Sequence, residues 1–293
     1  MTKRLPILKL PKLFPARRLF DSHCHLEMLE SECGPQALHE QIAAAQAAGV
    51  AAIFTMGTSI ETNEQAIAYQ KEFPGYVFAG AGLHPELCVP GSDMYKKELD
   101  ENDIAQYIAK FKAQLAQNDF VFAGECGLDY YWLEKNSELT KHQIDTSKSL
   151  QKIMLLEQLK LAKVLNLPIS LHTRAVEAEG LELVNNFGTN LEVIFHSYTG
   201  SYEVAAAILE SGYKIGINGI VTYKSAEDLR QTFNKLLKGK KIKEPEDLYQ
   251  EGFVLETDAP FLMPSNSKQR EKLNSPKQIP YIWEFLYNFL NAA

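Results

Sequence analysis

Short apolar runs alternate along this chain with longer stretches whose apolar positions recur at helical spacing. The runs predict strands at Arg18 to His23, Val50 to Met56, Tyr76 to Leu83, Phe120 to Gly124, Pro168 to His172, Leu191 to His196, Tyr213 to Ile217 and Gly252 to Glu256. Between and after them, helices are predicted at Gln36 to Ala48, Glu61 to Phe73, Asp103 to Gln117, Ser147 to Asn166, Glu177 to Phe187, Tyr202 to Ser211, Ala226 to Lys238 and Ile279 to Leu290. The punctuation agrees. Gly49 and Gly212 follow helices, Thr58-Ser59 offers an N-cap, and Pro74 stops the helix before it. Ile104, Tyr107, Ile108, Phe111 and Leu115 make one apolar stripe. Buried strands alternating with amphipathic helices imply a parallel sheet covered by helices. Eight such pairs favour an α/β fold closed as a (β/α)8 TIM barrel, although an open doubly wound sheet gives a similar pattern.

A barrel of this kind takes roughly 250 residues, and the chain has 293. No linker or repeat stands out, so one domain is expected over residues 18–293, behind a lead-in over residues 1–17. That lead-in holds Lys3, Arg4, Lys9, Lys12 and Arg17, and Arg18 follows it, with no acidic residue among them. Pro6, Pro11 and Pro15 break up any apolar stretch, so it reads as an extended segment packed on the fold rather than a secretory signal. Lys238 to Gln250, rich in charge, reads as a solvated surface loop.

The net charge is −7, from 30 basic and 37 acidic residues. That argues against a surface that wraps nucleic acid over many phosphates, and leaves room for a small site that holds one phosphate through metal ions. Mean hydropathy is −0.21, and no apolar run reaches the ~20 residues of a membrane span. Cys24, Cys33, Cys88 and Cys126 include no C-x-x-C pair and read as reduced thiols, which points to the cytoplasm.

Histidine placement changes the picture. Of seven histidines, His23, His25, His84, His172 and His196 lie at or just past the C-terminal end of a predicted strand; His39 and His142 do not. In a parallel barrel those ends converge on the face where catalytic groups collect. His23 and His25, two apart in extended chain, project the same way and suit one metal ion. Cys24 and Cys126 then point away and read as packing. Glu125, after an apolar run, would be costly to bury without a partner. Asp258 follows the last strand. Four histidines and two carboxylates suit Zn²⁺ or Mn²⁺, and Mg²⁺ less naturally.

The stretches carrying these residues are Asp21-Ser22-His23-Cys24-His25-Leu26, Gly82-Leu83-His84-Pro85, Gly124-Glu125-Cys126-Gly127-Leu128-Asp129-Tyr130-Tyr131, Asn166-Leu167-Pro168 with His172-Thr173-Arg174, and Leu255-Glu256-Thr257-Asp258-Ala259-Pro260-Phe261. In this order the chain resembles the TatD family of metal-dependent deoxyribonucleases, within the amidohydrolase superfamily of barrels. The resemblance implies two divalent ions: His23, His25 and Asp258 on one, His172 and His196 on the other, and Glu125 bridging both. It implies that Asp258 orients a shared water and takes its proton, and that the substrate is a phosphodiester, often at the 3′ end of single-stranded DNA. A monomer is expected. His84 and Arg174 would meet a phosphate, and Asp129, Tyr130 and Tyr131 would line the cleft.

There are departures. His196-Ser197-Tyr198-Thr199-Gly200 stands where the family more often has His-Cys-Phe-Ser-Gly, and Trp132 where an arginine is common. These leave two other readings open. One is a metal-dependent hydrolase of a small amide, ester or lactone. The other is a binding protein with a vestigial site, against which stand the six filled ligand positions.

Overall fold

Eight strands run parallel in the order β1 to β8, each paired with its neighbour in sequence. They are β1 Leu19–Cys24, β2 Val50–Met56, β3 Val77–Ala81, β4 Phe122–Asp129, β5 Ile169–Arg174, β6 Val193–Phe195, β7 Lys214–Ile217 and β8 Phe253–Leu255. Eleven α-helices occur among the described residues: α1 Leu26–Cys33, α2 Pro35–Ala47, α3 Ile60–Glu72, α4 Glu101–Gln117, α5 Tyr131–Lys135, α6 Lys141–Leu165, α7 Glu177–Phe187, α8 Tyr202–Glu210, α9 Glu227–Leu236, α10 Pro245–Gln250 and α11 Ile279–Leu290. The arrangement is the (β/α)8 barrel. This computed structural model describes residues 19–188, 191–268 and 272–292. The basic lead-in expected over residues 1–17, and Arg18, lie outside the described residues.

The seam between β8 and β1 is stitched mainly at its C-terminal end. The Asp258 amide donates to the His23 carbonyl (2.9 Å) and the His25 amide to the Ala259 carbonyl (2.8 Å). Ser22 Oγ donates to the Leu255 carbonyl (3.0 Å), and the Thr257 amide donates to Asp21 Oδ1 (2.9 Å). The seam thus closes where the predicted ligands His23, His25 and Asp258 meet.

At the other end of the barrel, Phe20, Phe54, Phe122, Ile194 and Val254 form an apolar plug. The segment from Lys238 to Gln250 belongs to that end, so the expected solvated loop is corrected. Ile242 and Leu248 are buried. Residues 245–250 form α10, and the Tyr249 ring lies 4.6 Å from that of Phe20. The charged residues of the segment face outward while one apolar edge covers the barrel floor.

Strand β4 begins two residues later and ends five residues later than the pattern suggested, because its glycines disguise it. A Cβ on Gly127, where φ is 157°, would sit 1.8 Å from the His172 carbonyl oxygen. Only glycine admits so close an approach to β5. Helix α6 starts at Lys141 instead of Ser147. Thr140 caps it, accepting from the Gln143 amide, while Gln143 Oε1 accepts from the Thr140 amide.

Candidate metal centre

The C-terminal ends of the strands bring the six predicted ligands into one cluster, in which His172 and Asp258 are partly exposed and His172 and His196 fall in separate donor groups that share Glu125. His23 comes from β1 and His25 from the turn after it. Glu125 comes from the middle of β4, His172 from β5, His196 from just past β6 and Asp258 from just past β8. Donor atoms of His23, His25 and Asp258 lie within 4.8 Å of one another, as do those of His23, Glu125 and His196, and those of His84, Glu125 and His172.

Glu125 is the centre of this arrangement. Its Oε2 lies 3.5 Å from His23 Nε2 and 3.3 Å from His25 Nε2. Its Oε1 lies 3.0 Å from His196 Nε2, 2.8 Å from His172 Nδ1 and 3.4 Å from His84 Nε2. The two oxygens of one carboxylate therefore face two different sets of imidazoles. Asp258 Oδ1 joins the first set, 3.5 Å from His25 Nε2 and 3.9 Å from His23 Nε2. Asp258 sits in a left-handed conformation (φ 56°) that turns its side chain toward the strand ends.

Each imidazole is aimed by a group behind it. His23 Nδ1 meets Ser170 Oγ at 2.8 Å, and His25 Nδ1 meets the Met56 carbonyl at 3.0 Å. His196 Nδ1 lies 3.3 Å from Glu256 Oε1, and His172 Nε2 lies 3.1 Å from Asp129 Oδ2. The hydrogen-bonded partners of His23, His25 and His172 fix ring orientation and tautomer, whereas Glu256 approaches His196 Nδ1 as a charge without a hydrogen bond. Glu256, Ser170 and Asp129 were not anticipated in this role. Asp129, expected to line the cleft, is buried behind His172 and also accepts from the Tyr131 amide (3.0 Å).

The electrostatics follow from packing two carboxylates among histidines. Burial pushes Glu125 up, yet the surrounding His84, His196 and His23 charges and the His172 hydrogen bond hold it well below the usual carboxylate range. Asp258 is likewise pushed up by burial but held low by His25, His196 and His23. Burial pushes His172 down, while hydrogen bonds to Asp129 and Glu125 raise it to about 9. No Lys or Arg among the described residues lies within ion-pair distance of Glu125 or Asp258; every partner is a histidine. Buried carboxylates surrounded by ring nitrogens are the donor set of a divalent transition-metal site, so the residues present fit such ions.

The remaining predicted positions separate. His84 Nδ1 accepts from the Glu86 amide at 3.3 Å, which directs Nε2 at Glu125. Arg174 is exposed, and its guanidinium lies 4.1 Å from the Tyr131 ring centroid and 5.4 Å from that of Trp132. Tyr130 is buried with its hydroxyl toward Glu179, so it packs beside the cleft rather than lining it. Cys24 and Cys126 are buried as expected, and burial pushes the Cys126 thiol up to about 12. No helix among the described residues is long and apolar enough to cross a membrane.

The chain is similar to known proteins over most of its length. The family model described as TatD related DNase matches residues 20–293. An uncharacterized metal-dependent hydrolase of Bacillus subtilis, YabD, is 30% identical over 267 residues, spanning 91% of this chain and 89% of its own length. The 3′-5′ ssDNA/RNA exonuclease TatD of Cronobacter turicensis is 29% identical over 247 residues, spanning 83% of this chain and 80% of its own. Among solved structures, the crystal structure of YjjV, a TatD homologue from Escherichia coli K12, superposes with a TM-score of 0.70 at 25% identity, covering 93% of this chain and 90% of that one.

Proposed function

The chain belongs to the TatD related DNase family, as a metal-dependent hydrolase, and from that premise we propose that it hydrolyses phosphodiester bonds at the ends of single-stranded DNA. The observation that carries the reading is the division of labour at Glu125, whose two oxygens face separate histidine sets. In the proposed centre, His23, His25 and Asp258 would hold one divalent ion and His172 and His196 another, with the Glu125 carboxylate available to both. When bound, two such ions supply a water of lowered pKa and positive charge for the phosphoryl oxygens.

The chain's own groups do the rest. Asp258, whose side chain is 15% exposed, orients the attacking water and accepts its proton at a carboxylate oxygen. Ser170, Met56 and Asp129 keep the imidazoles of His23, His25 and His172 from turning. Arg174 is held by the Tyr131 ring, which leaves its N–H groups for a phosphate oxygen. The name of the Cronobacter relative favours a nucleic-acid substrate; the acidic net charge confines the contact to the neighbourhood of the pocket.

The test is cleavage of an end-labelled single-stranded oligonucleotide with Mg²⁺, Mn²⁺ or Zn²⁺, by the native protein and by Asp258→Asn. Metal-dependent cleavage is expected, reduced about 10²–10⁴-fold in the variant. Near-normal turnover by Asp258→Asn would remove it as the base. Bound metal without cleavage under any ion would transfer the site to a small ester, amide or lactone.

A further inference from the structure

Four large apolar side chains are exposed among the described residues: Trp132, Val164, Phe261 and Tyr287. Trp132 and Phe261 both lie on the ligand-bearing face, in the segments directly after β4 and Asp258. Strands β4 and β8 stand on opposite sides of the barrel, so these two rings flank the mouth. An isolated exposed ring needs no explanation. Trp132 is different because of what surrounds it.

Trp132 is 47% exposed. Its ring stands edge-on to that of Tyr131, with centroids 5.0 Å apart. Both rings lie within cation–π range of the Arg174 guanidinium. Among the described residues no carboxylate lies within ion-pair distance of Arg174. The whole group is tied to the pocket. Asp129 holds the Tyr131 amide with one oxygen and meets His172 with the other, and the Tyr130 amide donates to the Arg174 carbonyl at 3.1 Å. A cation with no carboxylate at ion-pair distance, though its charge reaches Asp129, is held beside an open indole and anchored to a site ligand, and so pairs two recognition chemistries. The guanidinium suits a phosphate oxygen, and the indole face suits a flat, neutral ring.

We infer that Trp132 is a stacking platform for a nucleobase adjoining the bond to be cut, so that this chain grips its substrate through a base as well as through phosphate. The inference rests on the phosphodiester reading above. It makes Trp132 a specificity-determining residue and its ligand a nucleotide unit of single-stranded nucleic acid, since a paired base offers no free face. An arginine at this place would add a phosphate contact; the indole trades charge for base contact.

The protein carries two tryptophans, which makes the test direct. Trp283 lies on α11, is partly buried, and packs against the helical core. Trp283→Phe leaves Trp132 as the only indole reporter. Metal-loaded protein is titrated with an oligothymidylate whose linkages are phosphorothioates, and with an abasic strand of the same length and linkage. The expected result is quenching of Trp132 emission by the base-bearing strand only, and binding of that strand roughly tenfold tighter than the abasic one. In the parent protein, Trp132→Ala should reduce the affinity for the base-bearing strand to that for the abasic strand, with bound metal unchanged, and Trp132→Phe should retain most of the preference. Equal affinity for the two strands, or a preference that survives Trp132→Ala, would overturn the inference and leave the phosphodiester reading standing. If neither strand binds to metal-loaded protein, both fall.

Discussion

At the scale of single residues, the candidate centre depends on groups that aim the imidazoles as much as on the imidazoles. Glu256 is fully buried, accepts from the Ser197 amide at 2.5 Å and lies 3.3 Å from His196 Nδ1. Its charge beside Nδ1 makes the His196 Nε2 lone pair a stronger ligand for any ion bound there. Glu256→Gln keeps the volume and removes that charge. It should weaken metal binding about 10–100-fold at one of two positions, read by titration calorimetry on the metal-free protein. Unchanged affinity would limit Glu256 to holding the Ser197 backbone. The six proposed ligand positions were legible as candidates because a histidine or carboxylate at a strand end is a pattern within one short segment. Their partners were not. Ser170 lies 147 residues from His23 and Asp129 lies 43 from His172; such contacts follow from which strands adjoin and which way a ring turns. Glu256 was in view, two residues before Asp258, but strand alternation alone does not say that it meets His196.

At the scale of elements, strand–helix alternation was readable throughout, while the misjudged elements share a cause. Local composition concealed a tertiary role. The glycines of β4 look like a turn until β5 is placed against them. The charges between Lys238 and Gln250 look like a solvated loop until the floor of the barrel is seen to need a cover. Helix α1 was not legible as a separate element because only His25 parts it from β1 and its eight residues bury only Leu26, Glu27 and Leu29, too short a stripe to show a period. The floor gives a prediction. Leu248 is fully buried on α10, so Leu248→Ala should cost about 2–5 kcal/mol, seen as a lower midpoint in denaturant with an unchanged slope. A residue in a solvated loop would cost within about 0.5 kcal/mol. Catalysis at the far end of the barrel should be unaffected while the variant remains folded.

At the scale of the whole molecule, the centre and the closure of the barrel are one problem. The proposed ligands come from both sides of the β1–β8 seam, and the hydrogen bonds described there, between His23 and Asp258 and between His25 and Ala259, lie beside the ligating side chains. An ion held by His23, His25 and Asp258 would therefore bridge the seam. Removing it leaves Glu125 and Asp258 buried with histidines as their only ion-pair partners among the described residues, and removes a ligand that binds only the folded chain. At a free ion concentration one hundred times its dissociation constant, that ligand contributes about 2.7 kcal/mol. Chelation should lower the melting temperature, and re-addition of the ion should restore it. The loss should also be localised. Amide hydrogen exchange should accelerate first at His25 and Asp258, which donate across the seam, and leave the β2–β3 ladder protected. If exchange rises evenly around the barrel, the ions contribute to global stability alone; if it does not rise at all, no ion spans β1 and β8, and the assignment of His23, His25 and Asp258 to a common ion fails.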